Sequence, residues 1–344
     1  MTVRSALTAG LPREGFSQLF VRLQPHMQEL DRFLRSQLGS FEPEIRGLVE
    51  YCLDVSGKRI RPALVFFSGW RGAEQVTPEL VRAAAVVEMV HLATLVHDDI
   101  MDGAELRRNQ PTAARRYGSD AAVLLGDALL AHAVCIAAQF PSTEICRVVS
   151  DATRQVCAGE IVQTLRKGDT AITLADYRRI IELKTAELFR LSCRLGSRLA
   201  AFEDGYVEAA TVFGRHLGVA YQVYDDLADF FGEEKRIGKT LGTDLAGGKV
   251  TLPMLVLLQR LPAAEQADLL DEIRTGRVPQ LERRRAQMKA HGVFAEVVAG
   301  VQVELEAGAK ALAPWSHLEP ALLLGQLIGL LREQVDGLRP ATGS

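Results

Sequence analysis

Apolar residues recur at three- and four-residue steps along almost the whole chain. Within residues 14–38 the repeat runs through Phe20, Leu23, Met27 and Leu30, which is the period of one face of an α-helix. The alternation that is typical of β-strands does not occur. The sequence therefore predicts an all-α fold, with helices over residues 14–38, 42–54, 78–102, 118–139, 142–166, 173–195 and 204–231 and again beyond residue 253.

No linker, repeat or low-complexity segment divides the 344 residues. We therefore expect one all-α domain over residues 1–344, with roughly a dozen helices around a core near the upper size limit for a single domain. The ends, residues 1–12 and 339–344, are expected to be frayed. Residues 232–248 hold five glycines and mixed charges, which predicts a long polar loop.

Charge and cysteine content limit the partners and the location. A net charge of −3 gives no overall field that would attract nucleic acid or a membrane surface. Five dispersed cysteines without a Cys-x-x-Cys pair indicate reduced thiols in a cytoplasmic protein. The apolar stretch from Ala321 to Leu331 is broken by glycines and too short to span a bilayer, so we expect no transmembrane segment.

A cluster of charges follows the apolar run that begins near residue 78. Asp98, Asp99 and Asp102 end the run, and Arg107 and Arg108 come directly after it. Asp98 and Asp102 lie about 40° apart around a helix, so their side chains point the same way. Adjacent carboxylates on an apolar helix resist burial unless a cation joins them. The pattern indicates a metal site beside an anion site.

A second cluster, Asp225, Asp226 and Asp229, repeats the spacing near the end of another apolar helix. Taken alone, it could equally be a solvated helix end. Acidic residues at this position oppose the helix dipole, however, and two identical clusters are improbable by chance. Oxygen ligands favour Mg²⁺, Mn²⁺ or Ca²⁺ over zinc. The sequence does not establish that the two helices face each other.

The chain resembles the trans-type polyprenyl diphosphate synthases. The likeness is carried by the two Asp-Asp-x-x-Asp motifs, by Gly-Lys-Arg-x-Arg-Pro at residues 57–62 and by Gly-Lys-Thr-Leu-Gly-Thr-Asp-Leu at residues 238–245, and it extends from about Gly57 to Pro253. The resemblance implies a single large helical bundle of the isoprenoid (class I terpenoid) synthase type, with a central active-site cavity. It also implies head-to-tail condensation of an allylic diphosphate with isopentenyl diphosphate, assisted by Mg²⁺, and a homodimer.

The resemblance assigns roles to particular residues. Asp98 and Asp102 would bind Mg²⁺ on the allylic diphosphate and Asp225 a further ion, supported by Asp229; three ions are implied, and Mn²⁺ is an alternative. Isopentenyl diphosphate would be held by Lys58, Arg61, His91 and Arg108. The allylic diphosphate would be held by Arg107, Lys184, Thr185, Gln222, Lys239 and Lys249, with Lys184 and Lys239 also counted as catalytic.

Several of these residues have structural interpretations as well. Lys58 and Arg61 could belong to a solvated turn, and His91 could be a satisfied core histidine. His97, Asp99 and Asp226 are expected to support the site without binding the metal. No role is assigned to three acidic residues on apolar helices, Glu88, Glu160 and Glu187.

In the family that the chain resembles, bulky residues just upstream of the first aspartate motif stop chain growth. Here the fifth and fourth residues before Asp98 are Ala93 and Thr94, and Met89 and Val90 lie one turn earlier. None of them is aromatic, so we expect a product longer than C20, in the C30 to C50 range. Met89 is the residue that most favours the alternative, a short C15 to C20 product.

Other functions remain open at this stage. A class I terpene cyclase shares the fold and an aspartate-rich metal site but does not bind isopentenyl diphosphate. A non-catalytic subunit of a heteromeric synthase, or a helical scaffold stabilised by Ca²⁺ or Mg²⁺, would not turn over substrate. The apolar helix over residues 118–139 is a candidate dimer interface, although a core helix has the same pattern.

Overall fold

The structure is a computed structural model that describes residues 15–55, 57–233, 241–275 and 280–339. The ends that were expected to be frayed lie outside these residues, except Arg339. Within the described ranges the chain forms sixteen α-helices. They are α1 Gly15–Ser36, α2 Pro43–Asp54, α3 Ile60–Ser68, α4 Pro78–Met101, α5 Ala113–Tyr117, α6 Ser119–Ala138, α7 Thr143–Leu165, α8 Leu174–Ile181, α9 Glu187–Leu199, α10 Asp204–Phe231, α11 Thr243–Ala246, α12 Leu252–Arg260, α13 Ala263–Thr275, α14 Leu281–Ala290, α15 Val293–Leu312 and α16 Glu319–Asp336.

Five short elements accompany the helices in the described residues. Gln37–Ser40 and Ala313–Trp315 are 3₁₀ turns, and Glu182–Ala186 is a π-helical turn that joins α8 directly to α9. Strands β1 (Leu106–Arg107) and β2 (Gln110–Pro111) form an antiparallel hairpin. The all-α fold predicted from the sequence is confirmed.

Helix α4 is the central helix of the bundle. It begins where the Thr77 hydroxyl accepts a hydrogen bond from the Leu80 amide at 3.4 Å, with Pro78 at the first helical position, a favourable start for a helix. Residues 83–87 are fully buried, because α4 packs against α3, α6, α9 and α1. A helix that is apolar on all sides belongs in a core. This packing fixes the direction in which Asp98 and Asp102 leave the helix.

Helix α10 carries the second aspartate motif and packs closely on α9. A Cβ atom on Gly214 would lie 2.6 Å from the Phe189 carbonyl oxygen, and one on Gly218 would lie 2.6 Å from the Ala186 Cα. No larger residue fits at either position, so the two glycines let the helix backbones approach. Since α9 contacts both α4 and α10, it sets the spacing between the helices that carry the two motifs.

The hairpin after α4 is absent from the sequence-based prediction. Its two central residues, Arg108 and Asn109, have φ angles of 52° and 61°, as a type I′ turn requires. Strands of two residues are too short to show alternation, and Arg-Asn lacks the glycine that usually marks this turn. The chain turns at the end of α4, where the Ala104 amide donates to the Asp99 carbonyl oxygen at 2.9 Å, and β1 then places Arg107 against the Asp99 side chain.

Two described helices are long and apolar enough to cross a bilayer by composition. In α4, 72% of the most apolar 18-residue stretch is buried within the protein, whereas in α6 the buried share is 39%. Helix α4 passes this test as a core helix. Helix α6 leaves apolar residues exposed, among them Leu124, which is 67% exposed.

Candidate active site

The C-terminal ends of α4 and α10 border one cavity of about 1680 Å³. Most of the predicted site residues line it, from the turn before α3 to the loop after α11. They are Lys58, Arg61, His91, Thr94, Asp98, Asp102, Arg107, Arg108, Lys184, Thr185, Gln222, Asp225 and Lys249. Lys239 lies outside the described residues. The two aspartate motifs, which the sequence could not place relative to each other, therefore border the same space.

The two metal-site carboxylates of the first motif have different surroundings. Burial raises the pKa of Asp98 to about 6, although the Lys184 ammonium, 3.8 Å away, opposes the shift. Asp102 accepts hydrogen bonds from Lys249 at 2.7 Å and from Lys167 at 3.1 Å. Burial would raise the pKa of Asp102, but the two ammonium groups outweigh it and lower that pKa. Both carboxylates thus already attract positive charge.

Asp99 points away from these two residues and holds Arg107. The Arg107 guanidinium donates to the Asp99 carboxylate through Nε at 2.9 Å and through Nη2 at 2.6 Å. Burial alone would lower the pKa of Arg107, but the bidentate pairing with Asp99 raises it. The middle aspartate of the motif therefore fixes a cation beside the carboxylates of Asp98 and Asp102.

The second motif is arranged in a similar way. Asp225 and Asp226 both line the cavity, and the nearly buried Asp226 accepts from the Tyr177 hydroxyl at 2.6 Å and from Gln222 Nε2 at 2.7 Å. The Gln222 carbonyl oxygen in turn accepts from the Thr185 hydroxyl at 2.7 Å. This chain of hydrogen bonds joins the π turn to α10 and orients the residue beside Asp225.

Asp229 lies deeper than the sequence suggests. It is fully buried, accepts hydrogen bonds of 3.1 Å from the Thr243 hydroxyl and the Asp244 amide, and is not among the cavity-lining residues. An aspartate in this position stabilises the start of α11. The Asp244 side chain lines the cavity instead.

The π turn brings Lys184 and Thr185 to the same cavity wall. Lys184 donates to Gln163 Oε1 at 2.8 Å and forms an ion pair with Glu160. Adjacent residues of an α-helix diverge by about 100°, and the wider π turn alters that relationship. Gly159 allows α7 to approach, because a Cβ there would lie 2.7 Å from the Lys184 amide nitrogen. π turns are frequent at functional sites.

A second group of cations lies on the side of the cavity next to α3. Arg61 Nη1 lies 3.0 Å from His91 Nε2, and the Arg61 guanidinium stacks over the Phe189 ring at 5.0 Å. Burial and the charges of Arg61 and Arg108 lower the pKa of His91 well below its usual value. His91 is therefore neutral and accepts the arginine N–H. Arg108 donates to the Val55 carbonyl oxygen at 2.8 Å.

Arg59, in the middle of the Gly-Lys-Arg-x-Arg-Pro motif, supports this group from behind. Its φ is 49°, a left-handed conformation that costs about 1 kcal/mol outside glycine. It forms an ion pair with Asp31 of α1, and its Nε lies 3.9 Å from Oε1 of Glu88. Glu88 is only 1% exposed. The pairing holds the turn that carries Lys58 and Arg61 against α1 and α4.

Sequence reasoning missed charged contributors to the cavity, among them Lys167 and Asp244. Both line it, and Lys167 contacts a carboxylate of the first motif directly. Lys167 follows α7 in a polar turn, and no motif spacing marks it. Glu160, which was given no role, is the ion-pair partner of Lys184.

The carboxylates suit a hard divalent cation that also binds substrate. Among the described residues, no three acidic, histidine or cysteine side chains form a metal cage. Mg²⁺ does not need one, because it keeps water ligands and adds phosphate oxygens to one or two carboxylates. Asp98 and Asp102 on one wall and Asp225 on the other provide such ligands, and the lysines beside Asp98 and Asp102 mark where positive charge is needed. The residues fit the implied metal.

The four residues expected to set product length differ in how deeply they are buried. Thr94 lines the cavity, whereas Ala93, Met89 and Val90 are packed in the core and are not among its lining residues. Further apolar lining on this side comes from four residues of α4, α6 and α7 that the sequence did not single out, Leu95, Val123, Val156 and Ile161. None of these four is aromatic.

The chain is similar to known proteins over most of its length. The profile of a family described as polyprenyl synthetase matches residues 42–289. Octaprenyl diphosphate synthase from Haemophilus influenzae is 35% identical over 252 residues, covering 72% of this chain and 75% of that protein. Heptaprenyl diphosphate synthase component 2 from Bacillus subtilis is 34% identical over 256 residues, covering 74% and 73%.

Solved structures agree with the sequence comparison. A polyprenyl synthase from Caulobacter crescentus, complexed with calcium and isoprenyl diphosphate, has a TM-score of 0.86 and 28% identity, covering 94% of this chain and 99% of that one. A decaprenyl diphosphate synthase from Rhodobacter capsulatus has a TM-score of 0.85 and 28% identity, with the same coverage.

Proposed function

The chain belongs to the polyprenyl synthetase family and is a prenyltransferase, and on that premise we propose how its cavity works. It condenses an allylic diphosphate with isopentenyl diphosphate head to tail and releases a long-chain trans-polyprenyl diphosphate in the C30 to C50 range. The names of the octaprenyl, heptaprenyl and decaprenyl synthases among its relatives support this range. The family and the reaction predicted from the sequence are confirmed.

One observation carries the proposal: two separate groups of cations line the same cavity as the aspartates. In one group, Arg61 is paired with neutral His91 and Arg108 donates to the Val55 carbonyl oxygen; together with Lys58 they suit a diphosphate bound without metal. The other group, with Lys184 and Lys249, lies against the aspartates. Two diphosphates can therefore bind side by side, one of them through metal.

The allylic diphosphate binds between the two aspartate motifs. Asp98, Asp102 and Asp225 would hold Mg²⁺, which would supply the charge neutralisation that lets pyrophosphate leave. Three ions are proposed, with Mn²⁺ as an alternative, and Asp229 supports them by fixing the start of α11. The protein's own cations and neutral hydrogen-bond donors stabilise the same developing charge; the cations are Arg107, Lys184, Lys239 and Lys249, and the neutral donors are the Thr185 hydroxyl and the Gln222 amide.

Isopentenyl diphosphate binds beside it on Lys58, Arg61 and Arg108, with neutral His91 orienting Arg61. Its double bond attacks the allylic carbon, and loss of a proton gives a product that is one isoprene unit longer. The reacting carbons are kept from water by apolar cavity walls, because water would quench the allylic cation.

The growing tail passes Thr94, and we propose this residue as the nearest determinant of product length. Ala93, Met89 and Val90 act indirectly, as the core layer behind the wall. Leu95, Val123, Val156 and Ile161 form the apolar surface along which the tail extends. None of these side chains has the bulk of an aromatic ring.

We propose that the chain is one domain and acts as a cytoplasmic homodimer without a nucleic-acid partner. The buried apolar residues from Leu19 to Leu338 form one continuous cluster, which supports a single domain. Helices α6 and α7 also expose apolar residues outside the cavity, including Leu124 and Leu165. A second copy of the chain would bury this surface.

The test is product analysis with purified protein, farnesyl diphosphate, labelled isopentenyl diphosphate and Mg²⁺. We expect polyprenyl diphosphates of C30 to C50, and loss of all product when a chelator removes the metal. Incubation with the allylic diphosphate alone separates the alternatives, because a terpene cyclase would release a hydrocarbon or alcohol. A sole C15 or C20 product would overturn the assigned length, and no consumption of isopentenyl diphosphate by the isolated chain would overturn the activity.

A further inference from the structure

The Asp102 carboxylate is shared by two lysines from distant parts of the chain. Its Oδ1 atom accepts from Lys167 Nζ at 3.1 Å and its Oδ2 atom from Lys249 Nζ at 2.7 Å. Lys167 also lies 3.4 Å from the Met101 carbonyl oxygen. Both ammonium groups line the cavity. Two ammonium groups thus share the single carboxylate of Asp102.

A backbone hydrogen bond between two glycines positions these lysines. The amide of Gly168, next to Lys167, donates to the carbonyl of Gly248, next to Lys249, at 2.9 Å. Both glycines have positive φ angles, 75° and 64°, which other residues rarely adopt. A Cβ on Gly248 would lie 3.2 Å from the Gly168 nitrogen. The two loops are therefore fixed to each other, and their lysines arrive at Asp102 together.

This arrangement changes when Asp102 takes part in metal binding. A divalent cation on the carboxylate repels both ammonium groups, and each then needs another anion within reach. The diphosphate that shares the metal with Asp102 is that anion. Lys249 was assigned to it by family resemblance, whereas no motif includes Lys167.

We infer that Lys167 is an additional binding residue for the allylic diphosphate, acting opposite Lys249. The inference rests on the proposed prenyl transfer. In the metal-free protein Lys167 neutralises Asp102, and when metal and diphosphate bind, its ammonium group moves to the phosphate oxygens. Lys167 is 26% exposed at its side chain, so solvent screens its contribution only in part.

The test compares Lys167→Met, which removes the charge and keeps the apolar stem, with Lys167→Arg, which keeps the charge. Lys310→Met, at an exposed lysine in the last turn of α15 and outside the cavity, is the matched control. Two titrations are made without prenyl substrates, one with Mn²⁺ alone and one with inorganic pyrophosphate in the presence of Mg²⁺.

The two titrations are expected to shift in opposite directions in Lys167→Met. Pyrophosphate affinity falls about tenfold, the magnitude of one charge-assisted hydrogen bond that is partly screened. Affinity for Mn²⁺ alone rises, because a competing cation has been removed from Asp102. Lys167→Arg and Lys310→Met keep both affinities close to those of the unchanged protein.

Two outcomes would overturn the inference. Unchanged affinities in Lys167→Met would show that the lysine does not reach the phosphate. A fall in both affinities would show that Lys167 only supports the end of α4. Product formation by the unchanged protein is measured separately, so a failure of the proposed activity is distinguishable from either result.

Discussion

The hydroxyl of Tyr177 donates a 2.6 Å hydrogen bond to Oδ2 of Asp226, and it thereby joins α8 to the helix that carries the second aspartate motif. Burial and the charge of Asp226 raise the pKa of Tyr177 well above its usual value, so the phenol remains a donor at every working pH. With Gln222 on Oδ1, both oxygens of this buried carboxylate are held. Tyr177 and Gln222 therefore fix the side chain of Asp226, which is adjacent to Asp225 in sequence.

Tyr177→Phe is expected to lower both stability and turnover. Removing one donor from a buried carboxylate costs about 1–3 kcal/mol of unfolding free energy. Because Asp225 is the neighbouring residue, kcat should fall further than the stability loss explains at a temperature where the variant is fully folded. Urea unfolding and steady-state kinetics measure the two effects. Tyr117→Phe, at the end of α5 and outside the cavity, is the control and should change neither.

Arg59→Met is expected to weaken isopentenyl diphosphate binding selectively. The variant loses the ion pair with Asp31 and deprives the buried Glu88 of a neighbouring cation, at a cost of about 3 kcal/mol of stability. The turn that carries Lys58 then loosens, so KM for isopentenyl diphosphate should rise several-fold while KM for the allylic diphosphate stays nearly constant.

The control for this prediction is Arg32→Met, which breaks an exposed ion pair with Glu29 on the same helix α1. Exposed pairs contribute at most about 1 kcal/mol, so this variant should resemble the unchanged protein. Equal increases in both KM values for Arg59→Met would contradict the positioning role of Arg59.

Thr94→Phe is expected to shorten the product. Thr94 lines the cavity, and its hydroxyl donates to the His91 carbonyl of its own helix at 2.8 Å, so a phenyl ring there fills space without removing a substrate contact. Reversed-phase chromatography of the products should show a shift to C20 or below with turnover retained. Thr94→Ser should keep the original length. If Thr94→Phe forms a product of the original length, a residue other than Thr94 sets the product length.

Ala93→Phe should behave differently from Thr94→Phe. Ala93 is buried among core residues, and a larger side chain there overpacks the interior at a cost of about 1–3 kcal/mol. Urea unfolding should show this loss. Unchanged stability would mean that the core behind Thr94 has room that the packing does not indicate.

Stability should fall on acidification because of His26 of α1. This residue is buried against Phe66 and stacks on Trp70 at 4.8 Å, and burial lowers its pKa from 6.5 to about 4. Below pH 6.5 the His26 side chain is protonated in the unfolded chain but not in the folded protein. The contribution of His26 to the free energy of unfolding is therefore fully present above pH 6.5 and is lost as the pH falls towards 4. The contribution lost between pH 7.5 and pH 5 is about 2 kcal/mol.

Urea unfolding of the metal-free protein at the two pH values measures this loss. In His26→Leu the pH dependence should be smaller by that amount, whereas the exposed His317→Gln should retain it. An identical pH dependence in His26→Leu and the unchanged protein would show that folding does not lower the pKa of His26.

The helices and the main site were predictable because their signals are local. Helix α4 could be read from its apolar run, from Thr77 and Pro78 at its start and from the aspartates at its end. That α4 and α10 border one cavity follows from packing against α9, where Gly214 and Gly218 allow close approach, and no pattern in either helix shows it.

The contacts that were missed depend on pairs that are distant in sequence. Lys167 reaches Asp102 only because Gly168 meets Gly248, eighty residues further along the chain. The burial of Asp229 depends in the same way on Thr243 and Asp244. By spacing alone, Asp98 is equivalent to Asp225 and Asp102 is equivalent to Asp229. In the structure, however, Asp229 is buried and Asp102 lies in the cavity wall.

The π turn at Glu182–Ala186 links the length of one helix to two separate properties of the protein. Deleting a single residue there would restore an uninterrupted α-helix, and α9 would keep its orientation relative to α8 because a single π turn absorbs one extra residue. Phe189 and Leu191 would then stay in the core, whereas the shortened turn would no longer bring both Lys184 and Thr185 to the cavity wall. A one-residue deletion in this segment would therefore impair diphosphate binding more than it impairs folding.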